Sequence, residues 1–289
     1  MKQFNMKETV GKTVLLILTV AQITVQTSCV QETLYNTDHP EYGKIALTTT
    51  WEDCGEWVDI PNSYTAQIGS HTETLSGEMN TIDYFFDEGS LSLHVYNVVN
   101  GITVNGETAT ATYPSAWAGS DIGWFFTGSH SVVIEKDKLH DITVPMQQQV
   151  RQLTLELELA GDAKERITGI DATLSGVAGA INIISGNPAG DAVTVTPVFT
   201  QINDEYSATM RLLGVTNNAQ ILSLTLQFAD GIPSTYTVVS DLSSRLASFN
   251  TGKRMPLVLY SILVVTPTAG GFTATIDPWT EDSGNAIAD

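Results

Sequence analysis

Basic residues are scarce in this chain. Its 289 residues hold 13 Lys and Arg against 32 Asp and Glu, a formal net charge of −19. A surface of that sign repels phosphate backbones and anionic lipid, so no nucleic-acid partner is expected. Any membrane attachment must then run through a covalent anchor. Catalytic motifs are missing too. There is no G-x-S-x-G elbow, no H-E-x-x-H pair, no Gly-rich phosphate loop opening a helix and no C-x-x-C pair. Neither an enzyme nor a cofactor is expected. The five histidines fall at no metal-ligand spacing. His130 and His140 flank one expected hairpin, and two His without a third ligand rarely hold zinc. Glu52, Asp53, Glu56 and Asp59 make an acidic loop without the Gly-centred spacing of a calcium loop, so a solvated loop is expected there.

Long apolar runs are also absent. Thr13–Val25 is apolar and uncharged, but too short for a membrane span of ~20 residues. Lys2, Lys7 and Lys12 precede or border it, and Thr27-Ser28 follow, the pattern of a secretory signal peptide over residues 1–28. Thr27-Ser28-Cys29 matches the end of a bacterial lipobox, with Gln26 where a Leu-like residue is usual. Lipidation of Cys29 is the expectation, and simple cleavage near Ser28 the alternative. Cysteine is down to two. If Cys29 carries lipid, Cys54 stands alone; otherwise a Cys29–Cys54 bridge stays open. Carboxylates beside Cys54 raise a thiol pKa, so it makes a poor nucleophile. Residues 1–28 hold three lysines and one glutamate, so their removal takes the charge from −19 to −21.

What remains is alternating apolar sequence. In Gln152–Leu159, Leu153, Leu155, Leu157 and Leu159 fall on one side and Thr154, Glu156 and Glu158 on the other, which is a half-buried strand. Asp141–Met146 alternates likewise, and Gln147-Gln148-Gln149 lies between the two runs. With neither Gly nor Pro there, a strand-to-strand link holding two units in a fairly fixed relation is expected. Further runs at Ile45–Trp51, Tyr64–Ile68, Leu91–Val95 and across the second half indicate an all-β chain of tandem sandwiches. The expected divisions are a tether over 29–42, an N-terminal sandwich over 43–147 and a C-terminal sandwich with a short acidic tail over 148–289. Asn105-Gly106 predicts a type I′ hairpin between 102–104 and 107–110. Glu135–Lys138 predicts a second hairpin. One short helix is expected at Asp241–Asn250, where Leu242, Leu246 and Phe249 share a face.

Two aromatic sites stand out. Trp117 lies in the small-residue loop Ser115–Gly119 and is the candidate for exposure, able to stack on a sugar ring or a partner protein. Trp124 is expected to plug the end of a sandwich.

The segment Val144–Leu155 resembles the mid-chain segment of the FimB-type fimbrial anchor family of the Bacteroidales type V pilus. So do Ala172–Gly179, Arg211–Val215, Asp241–Ser244, and Phe272–Ile276 with Trp279. The resemblance covers nearly the whole chain after residue 28. It implies two transthyretin-like, Greek-key β-sandwiches, a lipid on Cys29 and residence on the outer membrane. It further implies a non-enzymatic role, anchoring or accessory, in a fimbrium whose subunits join by strand exchange. Stalk precursors of that family resemble substrates of a protease that cuts after Arg to remove the first strand. Here the first arginine is Arg151, so Ile45–Trp51 is expected to stay attached. A surface lipoprotein binding glycans through Trp117 is the alternative.

Overall fold

The computed structural model describes residues 41–115, 121–161, 163–230, 232–268 and 271–281. The signal peptide, Cys29 and Trp117 lie outside the described residues. The first strands are β1 (Lys44–Asp53), β2 (Ser63–Ile68), β3 (His71–Ser76), β4 (Met79–Thr81), β5 (Gly89–Tyr96), β6 (Ile102–Asn105), β7 (Thr108–Ala111), β8 (Phe126–Ile134) and β9 (Leu139–Gln148). Then come β10 (Arg151–Gly161), a single helical turn α1 (Ala163–Arg166), β11 (Ile167–Asn182), β12 (Pro188–Val195), β13 (Thr200–Ile202) and β14 (Glu205–Leu212). β15 (Ile221–Phe228), β16 (Thr235–Asp241), β17 (Leu257–Thr268), β18 (Gly271–Ile276) and β19 (Thr280–Glu281) complete the series. The protein is all-β and its sheets pack as sandwiches.

The first sheet runs β3-β2-β5-β8-β9-β1-β4. Its two halves barely touch edge to edge, because β8 and β9 share only the pairs Phe126↔Gln148 and Thr127↔Gln147. Side chains from both halves nevertheless meet in one core, with Ala66, Leu93, Val95 and Ile134 on one side and Ile45, Leu47, Ile142 and Val144 on the other. The sheet therefore folds over on itself at β8/β9. At that crease a Cβ on Gly128 would fall 2.5 Å from Val144 Cγ1 and 2.9 Å from the Pro145 carbonyl oxygen. Only glycine lets the two backbones come so close.

The larger core lies between two further sheets, ordered β13-β14-β10-β17-β18 and β16-β15-β11-β7-β6. β10 is central, antiparallel to β14 and parallel to β17. Its four alternating leucines, Leu153 to Leu159, are fully buried against Leu174, Leu222, Leu224 and Leu226. The alternation expected from the sequence is thus the pleat of a strand with one face in the core.

Three local expectations are corrected. Residues 241–250 form successive turns, not a helix. The Asp241 carboxylate accepts the Ser243 N–H and hydroxyl, and bonds such as Leu246 N–H to the Leu242 carbonyl do not propagate. Short polar side chains that satisfy nearby backbone groups compete with helix in this way. Leu242, Leu246 and Phe249 are still fully buried, so the apolar spacing found the right face. The first hairpin turns on Gly106-Glu107, since Asn105 pairs with Thr108, and Gly106 stands at φ 58°. That is the pattern of a type II′ turn, not the type I′ turn expected at Asn105-Gly106. Glu135–Lys138 does not close a tight hairpin. Beside it Ile134 pairs with Gly89 and Leu139 with Lys44, each strand having joined a different layer.

The β6/β7 hairpin also travels further than the sequence indicates. β7 pairs with the distal end of β11, Ala109↔Ile181, and so extends a sheet of the C-terminal half. Ile102, Ala109, Ile122 and Phe125 pack there with Val150, Ile181, Ile183 and Leu213 in a third, smaller core.

Candidate functional site

β1 is the next-to-last strand of the first sheet, between β9 and β4. It lies in parallel beside β9 from Lys44↔Leu139 to Thr50↔Pro145, with a register shift before Asp53↔Gln147. On its other side β4 pairs with Ala46–Thr48. Ile45, Leu47 and Thr49 point inward and are at most 1 % exposed. Parallel strands need a long crossover, and 85 residues separate Asp53 from Leu139, so β1 is held by its flanks and not by a short connection. Gly43 is clamped by paired hydrogen bonds with Phe86, and Lys44 N–H donates to the Lys138 carbonyl.

The far end of β1 opens onto the junction between the two halves. Trp51 packs edge-on against Phe126 at 5.5 Å. Beyond it, Gly55 N–H donates to Gln148 Oε1 at 3.0 Å, and Trp57 Nε1 donates to the Arg254 carbonyl at 2.9 Å. Trp57 meets Trp124 edge to face at 4.7 Å, and Trp124 carries the Arg211 guanidinium 4.4 Å from its ring centre. Trp124 is half-buried in this contact, so the plug expected at a sandwich end is a wedge between halves.

Buried polar side chains complete the junction. Gln148 Nε2 donates to the Val150 and Lys253 carbonyls, and Gln149 Nε2 to Thr127 Oγ1. Arg151 donates to the carbonyls of Met255, Ser248 and Phe249. Lys253 Nζ donates to Gln149 Oε1 at 2.8 Å and to the Gly186 carbonyl at 3.3 Å. Several of them charge-assisted, such bonds fix one arrangement of the strands they join. They flank a cavity of about 380 Å³ lined in part by Asp53, Gln147, Ser185, Asn187, Lys253 and Arg254.

Burial pushes the Lys253 ammonium down from 10.5 to about 8. The unfolded chain then holds this proton more tightly, so stability rises with pH from about 8 to 10.5 as the native charge disappears. Relative to Lys253→Met, the wild type should gain about 3 kcal/mol over that window, measured by urea unfolding at pH 7.5 and 10.5. Parallel curves for the two proteins would refute a desolvated lysine.

Cys54 is a buried free thiol whose Sγ lies 3.6 Å from the Met146 carbonyl oxygen; burial pushes its pKa up to about 11. His130 sits opposite Leu93, while His140 sits opposite Ile45 and accepts the Glu135 N–H, so the two histidines belong to different layers. Among the described residues no group of three or more His, Cys, Asp or Glu is placed to hold a metal. No described helix is long and apolar enough to cross a membrane.

The family model "Fimbrillin-A associated anchor proteins Mfa1 and Mfa2" matches residues 106–284. Among solved structures, the fimbrial anchor protein Mfa2 from Porphyromonas gingivalis is similar at 11 % identity and a TM-score of 0.56, over 82 % of this chain and 98 % of that one. A candidate adhesin from Bacteroides ovatus is similar at 11 % identity and a TM-score of 0.58, over 84 % and 96 %. A candidate polysaccharide-binding protein from Bacteroides thetaiotaomicron is similar at 8 % identity and a TM-score of 0.54, over 83 % and 98 %. At such identities these likenesses concern the fold. A search of curated proteins found no match.

Proposed function

The chain belongs to the family of fimbrillin-A associated anchor proteins, a structural class and not an enzyme class, and from that membership we propose that it is an outer-membrane lipoprotein subunit of a type V fimbrium. In this reading its two halves, 43–147 and 148–289, are transthyretin-like Greek-key sandwiches. Cys29 carries the lipid, residues 29–42 are the tether, and the role is anchoring or accessory. Assembly with other subunits proceeds by strand addition, which satisfies the N–H and C=O groups of an open edge and fills alternate side-chain pockets without any cofactor.

The observation that carries this reading is the seating of β1. A strand paired with β9 from Lys44 to Thr50 and with β4 over Ala46–Thr48, with three inward side chains excluded from solvent, supports a finished sandwich rather than an open acceptor. A protease specific for arginine has its first target in the chain at Arg151, which is 6 % exposed and engaged at the junction. β1 therefore escapes removal, and the segment that precedes it stays joined to the protein.

The anchor is tested by metabolic labelling with a clickable palmitate. The wild type should carry the label and sediment with outer membranes, whereas Cys29→Ala should lose both while its fold is unchanged. An unlabelled wild type, or a Cys29→Ala protein still bound to membranes, would count against the proposal.

A further inference from the structure

Lys253 is in an unusual position for a protein with 32 acidic residues and a net charge of −19. It is 8 % exposed, and no carboxylate among the described residues lies within ion-pair distance of its ammonium. An ammonium has three N–H donors. Two are taken, by Gln149 Oε1 and the Gly186 carbonyl. The group faces the junction cavity of about 380 Å³, within the size range of ligand pockets. A buried cation without a counter-ion is costly and persists where something else compensates it.

The rest of the lining narrows the chemistry. Gln147, Ser185, Asn187 and Thr251 supply amides and hydroxyls rather than apolar surface. Arg254 adds a second cation, 4.0 Å from Asp53 and about half exposed. Asp53 itself lines the cavity, so the site holds one acceptor carboxylate beside two donors of positive charge. A phosphate or sulfate dianion would meet that carboxylate and the acidic field of the whole chain. A single carboxylate on a hydroxylated frame meets both at half the charge, and its hydroxyls offset the first by hydrogen bonding. Its charge pairs with Lys253 and its hydroxyls donate to Asp53.

We propose that the junction cavity is a binding site for a sugar acid, a hydroxylated monocarboxylate of the hexuronate class, with Lys253 as the carboxylate partner. The proposal is independent of the fimbrial reading and of Trp117, because it rests on the closed junction alone. A ligand there would touch residues of both halves, Gln147 and Asp53 on one side, Ser185 and Lys253 on the other.

Calorimetric titration of the full mature chain with sodium D-galacturonate at pH 7 is the test, with galactose, acetate and inorganic phosphate as controls and a tri-aspartate peptide as a competitor. Galacturonate should bind at least tenfold more tightly than any of these. Raising the pH to 9.5 should weaken it about thirtyfold, as the fraction of charged Lys253 falls. Lys253→Met should abolish binding; Asn187→Ala, at the rim, should weaken it severalfold and serves if the lysine variant fails to fold. Equal affinity for galactose, tighter binding of phosphate or the peptide, or full affinity in Lys253→Met or in Asn187→Ala would overturn the proposal.

Discussion

Leu47→Asp should unfold the N-terminal sandwich while leaving the C-terminal core in place. Leu47 is 1 % exposed, in the middle of β1, between β9 and β4. The change removes a buried aliphatic side chain and puts a carboxylate where there is no partner, a combined cost of about 4 kcal/mol or more. That is a large part of the stability of an ordinary domain. Because each half has its own main core, a urea titration should become two-step, with an early loss of Trp51 and Trp57 fluorescence. A synthetic peptide with the sequence Lys44–Asp53 should restore the first step, since β1 is held by its neighbours and not by a short loop. A single transition at the wild-type midpoint, or no rescue by the peptide, would show that β1 is not the strand that completes the sandwich.

Arg151→Ala carries the second large effect. Arg151 is 6 % exposed; its guanidinium donates to three backbone carbonyls and lies 5.2 Å from the centre of the Phe249 ring. Gly252 is pressed against it: a Cβ there would fall 2.9 Å from Arg151 Nη1. Truncation therefore takes the guanidinium donor from the Met255 and Phe249 carbonyls, while Ser248 keeps the Thr251 and Gly252 N–H groups, and it opens a void beside them, at about 3–5 kcal/mol. Arg151→Lys should recover little, because a point charge cannot reach three carbonyls set around a planar fork. Hydrogen exchange should show amides of residues 248–255 exposed in both variants. Protection equal to that of the wild type would mean that other contacts fix this segment.

The sequence exposes the strands well and their partners poorly. Alternation in Gln152–Leu159 indicates one buried face, and the leucines are fully buried. The same kind of alternation around Asn105-Gly106 indicates a hairpin, but says nothing about which sheet receives it. That β7 joins β11 depends on Ile181 and Ala109 meeting over a separation of 72 residues, which no local pattern encodes. The turns at 241–250 show the reverse case. The spacing of Leu242, Leu246 and Phe249 fixes what is buried, while Asp241 and the serines decide the backbone.

The junction was the least legible part. Gln147-Gln148-Gln149 is wholly polar, and nothing in its composition marks burial, yet Gln148 and Gln149 are each 3 % exposed. Thr251-Gly252-Lys253-Arg254 has the composition of a solvated turn, and its lysine is buried. Burial of such groups is set by hydrogen bonds to carbonyls about a hundred residues away, Lys253 to Gln149 and Arg151 to Met255. One sequence signal pointed there in part: the absence of Gly and Pro between β9 and β10, which favours a stiff link. Trp57, at the heart of the contact, sat in a loop marked by its charges and not by its aromatic ring. Cys29 and Trp117, both singled out from the sequence, lie outside the described residues.

The N-terminus of the mature protein on the cell surface tests the account most directly. Intact mass and peptide mapping of protein isolated from outer membranes should give a chain beginning at a lipidated Cys29, with Lys44–Asp53 present. A mature N-terminus anywhere within residues 52–135 would mean that β1 has been removed and the sandwich left open, contradicting a retained first strand.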